Sequence, residues 1–127
     1  MPLTASVLKT DSDVVKTEGP NRYSRDEVTI LSGVGKIIPG TVLGKVTATG
    51  KYKVLTPAAS DGTEVASRIS LQHADATSAD APRTVVLSRM AEVVAQALVW
   101  PAGITATQKT AALAQLETAG IVARRGV

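Results

Sequence analysis

The sequence predicts a small, mainly β domain with one short C-terminal helix and an extended N-terminal arm. Three observations point there. The stretch GTVLGKVTATGKYKVLTPAASDG at 40–62 has the glycine punctuation of a hairpin followed by a tight turn. Short aliphatic runs at 64–71 and 84–88 are bounded by polar loops, as strands are. The segment from Thr105 to Gly120 alone carries helical capping and helical composition together.

Taken in order, residues 1–27 are polar, carry Pro2, Gly19 and Pro20, and show no helical stripe. Apolar residues are sparse there: Leu3, Val7, Leu8, Val14, Val15 and Tyr23. Such a segment is either an idle tail or an arm that pairs with the sheet edge of a neighbour. It is read here as an arm, and residues 28–127 as the β-rich body. Val28–Leu31 is a short apolar strand, and Ser32–Lys36 is a flexible link. Thr41–Ala48 reads as a strand, Thr49-Gly50 reverses the chain, and Lys51–Leu55 returns. Gly44 in mid-strand marks a bulge or a close backbone approach.

Pro57 ends that hairpin, and Asp61-Gly62 supplies a turn with positive φ. Glu64–Leu71 is a further strand. Residues 72–83 are small and polar and read as a surface loop. Thr84–Ser88 is a buried strand; residues 92–99 suit a strand or a helix, and their shortness before Trp100-Pro101 favours strand or irregular structure. Thr105 and Gln108 have capping-box spacing, Leu113 and Leu116 mark one narrow helical face, and Gly120 sits at the C′ position. Ile121–Ala123 is a last short strand.

Composition narrows the function. Only Tyr23, Tyr52 and Trp100 are aromatic and there is no Phe, so the core rests on Val, Leu, Ile and Ala. A core that lean favours oligomerisation. The net charge is +3 but dispersed, with Arg124-Arg125 the only basic doublet. A nucleic-acid surface calls for a basic stripe with stacking aromatics, and neither is present. Cysteine is absent, which excludes disulfides and thiolate metal sites and suits a reducing cytosol. The opening MPLTASVLKTDSD does not read as a signal peptide, and no apolar run is long enough to span a membrane.

Chemistry-bearing patterns are weak. GVGK at 33–36 lacks the first glycine and the final Ser or Thr of a phosphate loop. His73, Asp75 and Asp80 give one imidazole and two loop carboxylates, short of a zinc set, and no nucleophile turn accompanies the His. No catalytic, metal or cofactor site is expected. Trp100, beside Pro101 at a junction between elements, suits either core packing or an anchor at a subunit contact. Two other classes compete with a structural role. One is a small β-barrel binding module for oligosaccharide or nucleic acid, and the other is an enzyme built on the His73 loop.

The order of the pieces resembles the head decoration protein D family of tailed bacteriophages. The matching residues are PGTVLGKVTATGKY at 39–52, PAASDGTEVA at 57–66 and LVWPAGIT…LAQLETAGIV at 98–122. The resemblance covers about residues 28–124. It implies a β-clip fold and a homotrimer on the outside of the expanded head, at three-fold and quasi-three-fold positions. There the protein would cement the shell of major capsid protein against the pressure of packaged DNA. It implies N-terminal arms that are flexible when free and ordered on the capsid. The implied partners are the major capsid protein and further copies of the chain, with no direct contact to nucleic acid or membrane. Synthesis in the host cytoplasm and residence in the virion follow from the same resemblance.

Overall fold

The computed structural model describes residues 9–20 and 23–125. Ten strands and one α-helix run in chain order: β1 (Val15–Glu18), β2 (Arg25–Ile30), β3 (Gly35–Ile37), β4 (Val42–Lys45), β5 (Tyr52–Val54), β6 (Arg68–Ser70), β7 (Ala74–Ala76), β8 (Ala81–Leu87), β9 (Ala91–Val94), α1 (Ala106–Thr118) and β10 (Ile121–Arg124). Five of them close a barrel in the order β2-β5-β4-β6-β8. β1, β9 and β10 form a three-stranded sheet with β9 in the centre, and β3 pairs with β7 alone. The mainly β expectation with a single C-terminal helix is what the structure shows.

Alternation along the barrel strands divides the apolar side chains into two groups. Leu43, Val86, Ile30 and Tyr52 fill the barrel, together with Ile37 and Ala76 from the small β3–β7 sheet. Their chain neighbours Val42 and Leu87 point the other way. With Ile69 they meet Val14, Val93, Leu116 and Ile121 in the larger core beneath α1 and the three-stranded sheet. All of these side chains in the larger core are fully buried. Burial of each is worth roughly 1.5–3 kcal/mol, which is how a chain with three aromatic residues holds two cores.

The hairpin forms where expected: Leu43 faces Val54, and Lys45 faces Tyr52 across it. Gly44 resolves as a close approach. A Cβ there would stand 2.7 Å from the Thr63 Cα and carbonyl oxygen, which lie in the turn folded back onto β4. Gly62, at φ +106°, follows Asp61 as expected, and its own missing Cβ makes room for the Lys45 carbonyl. The helix is capped as read: Thr105 Oγ1 accepts from Gln108 N at 3.1 Å, and Gln108 Oε1 accepts from Thr105 N at 3.0 Å. Ala112 and Leu116 are its buried residues. Gln115 reaches the 57–66 turn, accepting from Ala66 N at 2.8 Å.

Some segments differ from the sequence reading. Of the expected strand Glu64–Leu71 only Arg68–Ser70 pairs, because residues 61–65 turn back onto β4. The 72–83 stretch is not simply a surface loop, because Ala74–Ala76 pairs antiparallel with β3 and buries Ala76 completely. Residues 92–99, by contrast, are strand and irregular structure as read, the strand β9 running on into a 3-10 turn at Ala95–Ala97. Val14 and Val15, expected on an arm apart from the body, are packed by their own chain. Val14 is fully buried in the larger core, and Val94 N donates to its carbonyl at 2.7 Å. Val15–Glu18 then pairs antiparallel with β9. The sheet edge that takes this strand is intramolecular, because β9 would otherwise expose a row of backbone groups next to a buried face.

Gly44→Ala forces its methyl against backbone that has no room to yield and is expected to lower unfolding stability by about 3 kcal/mol in urea melts. Leu116→Ala, which leaves a cavity under α1, is expected to cost a similar amount, about 3 kcal/mol. A loss under half that for Gly44→Ala would mean that the turn moves aside.

Candidate functional site

The residues that carried possible chemistry are dispersed into structural tasks. His73 Nε2 bonds the Lys9 carbonyl at 2.7 Å. Asp75 Oδ1 accepts from Thr77 N at 3.0 Å within its own turn. Asp80 accepts from Ser32 N at 2.8 Å and from Lys51 Nζ at 2.6 Å. Among the described residues no three His, Asp or Glu side chains are placed to hold a metal ion. Of the Gly33–Lys36 segment, Gly35 and Lys36 belong to β3 itself, contrary to the flexible link expected there, and Lys36 faces Asp75 across the β3–β7 pair.

The N-terminal segment carries most of the remaining sequence-predicted residues. Leu3, Val7 and Leu8 lie outside the described residues. From Lys9 onward the segment is strapped to the body by the side chains of Lys9, His73 and Arg25. Lys9 Nζ donates to Ala97 O at 2.5 Å, and partial burial lowers the pKa of that ammonium against the opposing pull of Asp13. His73 holds the Lys9 carbonyl. Arg25 then clasps both ends of the strap. Its Nε and Nη2 grip Glu18 at 2.8 and 2.7 Å, and its Nη1 reaches Asp11 at 2.9 Å. The Glu18 hydrogen bond is the larger cause of a raised Arg25 pKa, with Asp11 adding to it against partial burial. A planar guanidinium forked on one carboxylate with a second at its tip fixes geometry as well as charge.

Tyr23 follows β1 in the chain and is 59% exposed. Arg89 stacks 5.3 Å from its ring centroid and bonds its carbonyl at 2.6 Å, while its Nη2 pairs with Asp26 at 2.6 Å. Met90, 58% exposed and at φ +47°, approaches the same corner across Gly19. Tyr23 and Met90, the two most exposed large apolar side chains among the described residues, thus share one corner beside the end of β1. Met90 carried no signal in the sequence, because its exposure depends on the tertiary turn between β8 and β9.

Trp100 and Pro101 stand elsewhere. Trp100 is half-buried against the larger core, with Lys109 Nζ 6.0 Å from its ring centroid. Pro101 lines a cavity of about 450 Å³ with Pro57, Ala58 and Ile104, between the end of the hairpin and the start of α1. Core packing accounts for part of the Trp100 surface and leaves the rest facing outward. Of the sequence-predicted residues that the structure describes, Val14 and Val15 lie in the core and in β1, Tyr23 at the corner beside β1, and Trp100 and Pro101 at the junction before α1.

Two outcomes follow from this geometry. Arg25→Gln is expected to lower stability by roughly 1 kcal/mol at low salt and less at high salt, as partly exposed ion pairs do. It is also expected to speed amide exchange at Asp13 and Val14, whose N–H groups close the turn at Thr10 and Asp11. Unchanged exchange there would show that the clasp does not hold the strap. Asp61 gives the second outcome. Its carboxyl is drawn down to about 2 by the Thr63 hydroxyl, then the Thr63 amide, with Lys53 adding to this. Its contribution is complete above about pH 4 and fades as pH falls toward 2. A carboxyl-carbon NMR titration is expected to find a midpoint near 2, and a midpoint near 4 would deny the turn its bond.

With the geometry in hand, the comparisons supply the identity. The family model for bacteriophage lambda head decoration protein D matches residues 6–121. The match reaches well into the segment ahead of residue 28, so β1 and the strap belong to the shared pattern along with the barrel. Comparison with the curated proteins gives no match. Coverage of nearly the whole chain settles the assignment: it belongs to the bacteriophage lambda head decoration protein D family and is a structural component that decorates the phage capsid.

Proposed function

We propose that this chain is a cementing protein. Three copies associate and bind the outside of the expanded head at three-fold and quasi-three-fold positions, where they hold the shell of major capsid protein against the pressure of packaged DNA. The family match over residues 6–121 is the observation that carries this reading. Support comes from a polar N-terminal segment leading into a strand that stands at the edge of its sheet.

Backbone pairing is the proposed means of grip. β1 uses one side on β9, and no strand lies beyond it among the described residues. A capsid segment laid along that free side extends the sheet, with affinity coming from main-chain hydrogen bonds. Within residues 1–27, the division proposed for the capsid-binding arm, this assigns the grip to the stretch before Val14 and to the outer edge of β1. Leu3, Val7 and Leu8 are the apolar residues available in that stretch, and Tyr23 flanks it. Trp100 and Pro101 are proposed as the contact between copies. Three linked subunits engaging three sites raise effective concentration, so a modest area per subunit still yields a durable clamp. A ligand that binds one shell form stabilises that form by mass action.

Purified protein mixed with expanded and unexpanded shells is expected to sediment with the expanded form alone. A chain lacking residues 1–13 is expected to fold and to lose most of that binding. Equal binding to both shell forms, or full binding by the truncated chain, would sink the mechanism. Sedimentation equilibrium is expected to give the trimer mass at high concentration, and Trp100→Ala to shift that equilibrium toward monomer.

A further inference from the structure

The mouth of the barrel holds a second feature that the strap does not use. Leu43 faces Arg68 across β4 and β6, and Ser70 faces Val86 across β6 and β8. Paired residues share a face, so Arg68 lies on the side of β6 that serves the barrel interior. It sits at the interior's end, with its guanidinium carbon 5.6 Å from the Tyr52 ring centroid. One amino group, Nη1, bonds the Ser67 carbonyl at 2.9 Å. The guanidinium is thereby oriented by a ring and a carbonyl, and neither neutralises its charge.

Two donors here lack acceptors. Arg68 Nε and Ser67 Oγ are both shielded from solvent and have no partner among the described residues. That is a costly condition for a polar atom and worst for one on a cation. Both residues line a cavity of about 410 Å³ that Lys45 and Val65, both exposed, also line. Nearby acids are already engaged: Glu64 accepts from Gly62 N at 2.8 Å, and Asp26 pairs with Arg89. Lys45 makes no ion pair among the described residues. Two cations thus meet at one opening that Glu64 also lines, and Asp26, paired with Arg89, feels the Arg68 charge without bonding it; neither Arg68 nor Lys45 holds a carboxylate of its own among the described residues, which leaves room for a further negative charge.

We propose that this cavity is a socket for a carboxylate, the side chain of an Asp or Glu presented by the capsid lattice, gripped by Arg68 and Ser67 with Lys45 at the rim. The proposal rests on the decoration reading for its partner. A guanidinium takes a carboxylate through paired parallel bonds, and the Nε edge is the one left free. Val65, 44% exposed, gives the rim an apolar contact suited to a protein side chain rather than to a bare inorganic ion. The chain's net charge of +3 makes a second copy the poorer source of an acidic surface.

Sodium acetate titrated into the full-length protein, followed through the Arg68 Nε–H resonance, is expected to give a saturable shift that sodium chloride at equal ionic strength does not. Arg68→Gln is expected to weaken binding to expanded heads by about tenfold, the effect of one charge-assisted pair. Should that variant fold poorly, Val65→Glu at the exposed rim, which sets a like charge against the incoming carboxylate, is expected to weaken binding similarly with an unchanged amide spectrum. Equal shifts in acetate and chloride overturn the socket. Full-strength decoration by well-folded variants overturns its capsid occupant. Failure of the wild-type chain to bind heads, with the acetate shift intact, would instead sink the decoration reading.

Discussion

The two-residue alternation along β4 and β8 is the constraint on which the rest of the molecule depends. Val42 and Leu43 are adjacent in the chain and fully buried, yet they belong to different cores, as do Val86 and Leu87. A strand buried on both faces needs a layer on each side. On one side the barrel closes upon itself. On the other, α1 and the β1-β9-β10 sheet supply the cover. A slip of one residue in either strand would exchange the two sets, so register here is strongly specified.

That demand for cover explains the fate of the N-terminal segment. β9 carries Val93 into the larger core and needs partners on both edges; β10 supplies one in parallel and β1 the other. Val14 follows as a core residue. The strap ahead of it is held by polar contacts instead: an ammonium on a carbonyl, an imidazole on a carbonyl, and one guanidinium shared between two carboxylates. Such contacts are individually modest and release locally at small cost, whereas the apolar contacts of Val14 do not. Apolar burial of the segment therefore begins at Val14.

Charge placement follows the same division of labour. Buried polar side chains such as Ser24 and Thr63 are satisfied by neighbouring groups: Ser24 Oγ bridges Gly19 N and the Met90 carbonyl, and Thr63 Oγ1 is held by Asp61. Arg68 and Ser67 stand out against that background because their donors are left over. Ser88 Oγ is the third buried side-chain atom without a hydrogen-bond partner among the described residues, but it does not line the cavity that Arg68 and Ser67 share.

Local chemistry was legible in the sequence. Thr105 and Gln108 encode their own cap, Asp61-Gly62 its own turn, and the Thr49-Gly50 reversal its own hairpin, because each depends on atoms a few residues apart. The order of those pieces also carried the family, and Gly44 announced a close approach without naming Thr63 as the partner. What only the tertiary structure decided was pairing at a distance. Ala74–Ala76 is a strand because β3 lies beside it, β1 is one because β9 needs an edge partner, and Met90 is exposed because a turn between two strands places it there. None of these segments carries a periodicity of its own. Their conformations follow from backbone groups and buried faces contributed by remote parts of the chain, which become neighbours only once the barrel has closed.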